Sequence, residues 1–196
     1  MAHKPRNSSD GFSLIELLAV CGLTLVIAAY AVPKTMTAMY NLRLRAGAVS
    51  AAEIFQNGRM LAIKQNRKMD VHFVNSSGTV SVYVDSVTVN SQKDTGEPSA
   101  TMNGSPTMMY TPTGTGAPSA LTDAKLGFNL LPSPTITDVS FNSRGLPCAG
   151  SCTSISGGFV YYFSDSRPWG KPGWAAISIT PAGRIKVWTW SGTAWN

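Results

Sequence analysis

The 196-residue chain is poor in charge and in histidine. Asp, Glu, Lys and Arg make up 13% of it, and its two histidines are His3 and His72. So few titratable groups leave little for acid–base chemistry. There is no Ser–His–acid grouping, no pair of acids in a plausible cleft segment, no Gly-rich phosphate cradle and no zinc-ligand spacing. These absences argue for a non-enzymatic chain with no cofactor and no metal. His72 stands apart in sequence from any Cys or acid cluster and reads as structural or solvent-facing. Scarce charge together with abundant Gly, Pro, Ser and Thr suits an extracytoplasmic β-rich domain better than a cytosolic enzyme. Cations outnumber acids, 16 to 10, giving a net charge of +6.

What is present is concentrated at the start. From Phe12 to Val32 run 21 residues with one charge, Glu16. As a helix they span roughly 32 Å, enough to cross a bilayer. A polar leader with Lys4 and Arg6 precedes them. A secretory signal would have a shorter apolar run with its cleavage site after it, whereas the candidate processing point here, Gly11, lies before it. Glu16 is the anomaly, because a carboxylate within an apolar membrane segment costs about 3 kcal/mol even on permissive scales. Its natural partner is a cation at the same depth. Cleavage between Gly11 and Phe12 would create one, the α-amine of Phe12, a helical turn from Glu16. That amine can pair with its own Glu16 or with that of an offset neighbour, turning a membrane cost into an assembly contact.

Gly11-Phe12-Ser13-Leu14-Ile15-Glu16 followed by an apolar run resembles the class III leader and N-terminus of type IV pilins and type II secretion pseudopilins. The resemblance covers residues 11–33, with Gly22 and Pro33 also in place; Asp10 departs from it, where many leaders carry a basic residue. It implies cleavage after Gly11 by a prepilin peptidase, N-methylation of Phe12, and a long helix that becomes the filament core. It further implies a single-pass protein of the bacterial inner membrane with its C-terminal domain in the periplasm, later in a pilus or pseudopilus. The implied partners are other pilin or pseudopilin subunits, the peptidase and an inner-membrane assembly platform. Loss of residues 1–11 would lower the net charge from +6 to +5, still consistent with contact to something anionic.

The remaining sequence gives an α+β class: a long N-terminal helix, transmembrane then amphipathic, packed on an antiparallel β-sheet domain. The divisions are a leader at 1–11, an apolar helix at 12–33, its amphipathic continuation at 34–66 and a β-rich domain at 67–196. Leu44, Ala48, Ala51, Phe55, Gly58 and Ala62 recur at three- and four-residue steps and form one apolar stripe. Arg43, Arg45, Glu53, Arg59 and Lys64 take the other faces. Ala46 to Ala52 would allow another backbone to approach closely. The helix should run from near Phe12 to near Asn66, weakened between Gly22 and Pro33, where proline lacks an amide hydrogen. From Met69 the period becomes two, and a hairpin is expected around the four-residue polar turn Asn75–Gly78. Residues 90–124 read as a long loop with one short strand at Met108-Met109-Tyr110, its methionines filling core gaps. Further strands are expected at Thr135–Phe141, Gly158–Phe163, Trp174–Thr180 and Arg184–Trp190. Val139–Pro147 as strand and turn, and Ile177–Val187 as a hairpin, resemble the soluble domain of the GspH/FimT group of minor pilins and pseudopilins.

Cys148 and Cys152 lie four apart with Ala-Gly-Ser between them, and outside the cytoplasm they read as a local disulfide staple rather than a metal site. Cys21 is expected to be a buried thiol. Near the C-terminus cations and aromatics mix: Arg167, Trp169, Lys171, Trp174, Arg184, Lys186, Trp188, Trp190 and Trp195. Alternation puts Arg184, Lys186, Trp188 and Trp190 on one strand face. Such a face could meet a phosphate backbone with partly exposed bases. It could instead be a solvated strand edge whose tryptophans pack in the core or against another pilin subunit. Gly183-Arg184-Ile185-Lys186 is similar to the Gly-Arg-x-Arg element of FimT-type minor pilins linked to natural transformation. This similarity implies double-stranded DNA as a partner at Arg184 and Lys186, and the mixture of cations and aromatics adds Arg167 and Lys171 as candidates. Lysine in place of the second arginine keeps the charge but loses the planar fork. The expected function is a minor type IV pilin that enters the filament through its N-terminal helix. The alternatives are a GspH-type minor pseudopilin and a membrane-anchored binding protein that does not polymerise.

Overall fold

The computed structural model describes residues 13–76, 79–87, 90–102, 106–109, 112–114, 116–130, 138–149, 152, 157–165, 167 and 170–196. The chain divides into two compact units, Met1–Ala38 and Met39–Asn196.

Helix α1, Leu14–Gln65, is continuous for 52 residues and contains Pro33. The expected weakness between Gly22 and Pro33 does not interrupt it. Proline removes one donor from the ladder, while the hydroxyls of Thr35 and Thr37 donate to the carbonyls of Ala31 and Pro33 and add bonds on either side. The helix ends where Asn66 turns left-handed, at φ 50°. Asn66 N–H then donates to Ile63 O and Arg67 N–H to Ala62 O, a Schellman closure that satisfies the last carbonyls.

In the second unit the strands form the expected antiparallel β-sheet domain, divided between two sheets. The first contains β1 (Met69–Ser76), β2 (Thr79–Asp85), β3 (Ser99–Met102), β5 (Val139–Phe141) and β6 (Pro147–Cys148), in the order β3-β2-β1-β5-β6. The second is β4 (Pro106–Met109), β7 (Phe159–Asp165), β8 (Trp174–Ile179) and β9 (Ile185–Thr189), in that order. Pairing between these strands is antiparallel. The β1–β2 turn is tighter than expected, because Ser76 already pairs with Thr79. The segment read as a loop holds β3, β4 and a four-residue helix α2, Asp123–Leu126, capped by Thr122. Strand β3 escaped the sequence reading because its small and polar residues, Ser-Ala-Thr-Met, carry no strong period. Tyr110, Thr135–Thr137 and Trp169 lie outside the described residues.

The stripe on α1 packs as its spacing predicts. Ala48, Ala51, Phe55 and Ala62 are fully buried against Val71, Val82, Phe141, Tyr161 and Ile177 of the two sheets. Gly58 permits this approach, since a Cβ there would lie 2.7 Å from Val71 Cγ2. A second apolar cluster covers the other face of the second sheet, joining Tyr162, Trp174, Ala176 and Trp188 to Leu121 and Trp195. Every residue of β8 is therefore buried.

Candidate functional site

In the first unit the apolar side chains of α1 are exposed all round. Leu14 is 77% exposed, Leu23 66% and Val26 72%. No described residue of this unit packs on them, and Cys21 is a free, exposed thiol rather than the buried one expected. The stretch is long and apolar enough to cross a membrane. Glu16 stands in the first helical turn, where a carboxylate also meets the positive end of the helix dipole. Gly11 and Phe12 lie outside the described residues.

The four cations read together as a DNA surface do not form one. Arg184 and Lys186 follow the β8–β9 turn, whereas Arg167 and Lys171 precede β8, so a six-residue strand of roughly 20 Å separates the pairs. At the turn, Thr180 N–H donates to Arg184 O and Gly183 N–H to Thr180 O. Gly183 takes φ 78°, and its Cα lies too close to Gly145 O for a side chain. Arg184 and Ile185 line a cleft of about 520 Å³ against Arg59, Met60 and Ile63 of α1. Arg59 Nε donates to Gly145 O at 3.1 Å. Sequence reading missed this pairing of Arg59 with Arg184, because only the fold brings a helix face to that turn.

The aromatics are not a free platform either. Trp188 is buried, its Nε1–H donating to Ser178 Oγ at 2.9 Å, and Lys186 Nζ lies 3.3 Å from its ring centroid. Trp195 is buried too, donating to Ser119 O at 2.8 Å. The face carrying Lys186 and Trp188 is thus mostly covered by the second core, leaving its cations at the rim. Arg167 is also engaged: its Nε–H donates to both oxygens of Asp165 at 2.9 Å, and Nη2 to Asn41 Oδ1 at 2.6 Å. Gly173 N–H donates to Asp165 Oδ1, so this pair fastens the β7–β8 connection. Lys171 is exposed.

Of the two roles expected for His72, structural or solvent-facing, the fold gives it the structural one, buried and beside acids that the sequence reading did not place near it. The β1–β2 register puts Asp70 opposite Asp85, two residues from His72. His72 Nδ1 lies 2.9 Å from Asp138 Oδ1, and Nε2 lies 3.6 Å from Asp85 Oδ2. Its pKa is raised, chiefly by the hydrogen bond to Asp138, against the opposing effect of burial and with further help from the charges of Asp138, Asp70 and Asp85. Asp85 Oδ2 also accepts from the N–H groups of Asn90 and Ser91. Glu97 accepts from Ser86, Val87 and Asp94 N–H. Burial pushes the Glu97 carboxyl up, but these three donors outweigh it and its pKa is lowered. The β2–β3 connection is held by carboxylates at both ends.

Cys148 and Cys152 are disulfide-bonded, their Cα atoms 4.9 Å apart. No family model and no curated protein matches the chain. Among solved structures it is similar to the type IV minor pilin FimU of Pseudomonas aeruginosa strain PAO1, at 13% identity and a TM-score of 0.42, over 78% of this chain and 97% of that one.

Proposed function

We propose that this protein is a minor subunit of a type IV pilus, made in the bacterial inner membrane with its β-rich domain in the periplasm and moved into the filament through α1. Glu16 carries the reading: one carboxylate in the first turn of an apolar stretch whose side chains are exposed among the described residues of the first unit. A membrane alone accounts for the apolar surface but not for the acid. The freed amine of a neighbour's Phe12 accounts for the acid. Prepilin peptidase acts between Gly11 and Phe12, Phe12 is methylated, and the assembly platform delivers the subunit to its neighbours. Catalysis plays no part in this role.

The test compares Glu16→Ala with the wild-type chain in the native host. The variant is expected to stay in the membrane fraction and to be absent from sheared filaments. Equal incorporation into filaments would sink the reading. The GspH-type pseudopilin alternative shares the helix and differs in output, so deleting the gene should abolish piliation while leaving protein export intact. Double-stranded DNA is a narrower proposal, favoured by the exposed Arg184 and Lys186 at the rim of the second sheet. Arg59, in the cleft with Arg184, is a better third phosphate contact than Arg167, whose charge Asp165 already neutralises.

A further inference from the structure

Strand β9 stands last in the second sheet and is paired with β8 on one side. Bonds at its two ends fix its phase: Thr180 N–H donates to Arg184 O, and Trp190 N–H to Trp174 O. The register sets Lys186 opposite Ser178 and Trp188 opposite Ala176. By antiparallel alternation Arg184, Lys186, Trp188 and Trp190 bond inward to β8, while the main-chain groups of Ile185, Val187 and Thr189 point outward. At Thr189 that outer edge is already used, because its N–H and C=O exchange bonds of 3.0 Å with Asn196. At Val187 and Ile185 no described residue bonds to it. Beside this open stretch, Arg184 and Ile185 form one wall of the 520 Å³ cleft whose other wall is Arg59, Met60 and Ile63. No acid lines the cleft. Among the described residues neither guanidinium lies within ion-pair distance of a carboxylate.

We infer that the open edge of β9 takes an extended acidic segment of another protein as a further strand. This segment runs in the direction of Trp195–Asn196, antiparallel to β9, so its C-terminal end lies at Arg184. Its residues opposite Val187 and Ile185 exchange main-chain bonds with the edge. Their side chains share the face on which Val187 and Ile185 pack against the core, beside Met60 and Ile63, and are aliphatic. The residue between them lies on the opposite face beside Lys186, and the one after them meets Arg184 and Arg59. Both of these are acidic. Main-chain bonds supply affinity and the alternate side chains supply selection. A second copy of β9 is selected against, since two-fold pairing about Ile185 or Lys186 sets cation opposite cation. The inference shares Arg184 with the DNA proposal but rests neither on it nor on filament entry.

The full chain in phosphatidylcholine nanodiscs would be titrated with a fluorescein-labelled peptide, Gly-Gly-Val-Glu-Val-Asp, and followed by anisotropy. The peptide should bind, and N-methylation of both valines should weaken it at least about tenfold, because those two amides face β9. N-methylation of the glutamate, whose amide faces away, should change affinity by less than about twofold. The methylated peptides carry the same charge, so a difference between them reads the strand edge and not general attraction to cations. Arg184→Glu with Lys186→Glu should weaken the parent peptide about tenfold and favour one with lysine at both acidic positions. Both residues are exposed, so this reversal reads recognition rather than folding. Glu16→Ala should bind the peptide as the wild-type chain does, which separates this inference from the filament reading. Equal affinity for the two methylated peptides, or no binding of the parent, overturns it. So does protection of the Ile185 and Val187 amides from hydrogen exchange that rises with the concentration of the chain alone, which would put a second copy on the edge.

Discussion

His72 draws its environment from three separate strands, and the consequence is a stability that depends on pH. The charged and titratable groups facing it are Asp70 on its own strand, Asp85 and Tyr83 on β2, and Asp138 beside β5, with Glu97 close enough to feel its charge. Because the folded pKa of His72 is raised above its ordinary 6.5, its contribution is complete below that value and is lost as pH rises through the folded one. Glu97 acts in the opposite direction. Its folded pKa is lowered from 4.5, so its contribution is present above that value and lost as pH falls through the folded one. Urea unfolding should therefore show a midpoint that falls as pH rises above 6.5, and His72→Gln should flatten that fall; an unchanged slope in the variant would assign it elsewhere. Only the alternation that puts Asp70 and His72 on one face was legible in the sequence; the expected four-residue turn would set Asp70 opposite Tyr83, and the tighter turn of the fold brings Asp85 there instead. Asp138 was not legible, since its proximity depends on β5 returning to pair with β1.

Among the elements, α1 was the most readable, because its buried positions repeat with a period that a single packing face imposes. The Ile177–Val187 hairpin was readable for a similar reason, having alternation on both sides of a Pro-Ala-Gly turn. The second core was not readable. Tryptophans beside cations give the same pattern whether the face is open or covered, and the cover here comes from Leu121 and Trp195, which belong to no strand. Trp195 joins the cluster by packing on Tyr162 and Trp190, with ring centroids at 5.7 and 5.4 Å. Trp195→Ala should cost about 3 kcal/mol in chemical denaturation, at the low end for removing a buried tryptophan. Trp195→Phe should cost about 1 kcal/mol, the loss of the bond to Ser119 O. Equal costs for the two would mean that packing contributes little.

Taken as a whole molecule, the protein has an excess of cations but spreads them over several faces. Any DNA contact should therefore run through phosphates alone, since Trp188 is covered and cannot stack on bases. Gel retardation by the full chain should weaken steeply with salt, without preference for sequence or for single strands. Arg184→Ala with Lys186→Ala should reduce the slope of log K against log salt by about two. No retardation at low salt would dispose of the DNA proposal. One packing contact bears on how the chain reaches this state at all. Phe55 stacks on Tyr161 at 5.6 Å, a residue about a hundred positions later, so the loop between them must close first. While the polypeptide is still being made, the apolar stripe of α1 has no sheet to cover it. During that interval it is open to chaperones and to aggregation alike, until the final strands arrive.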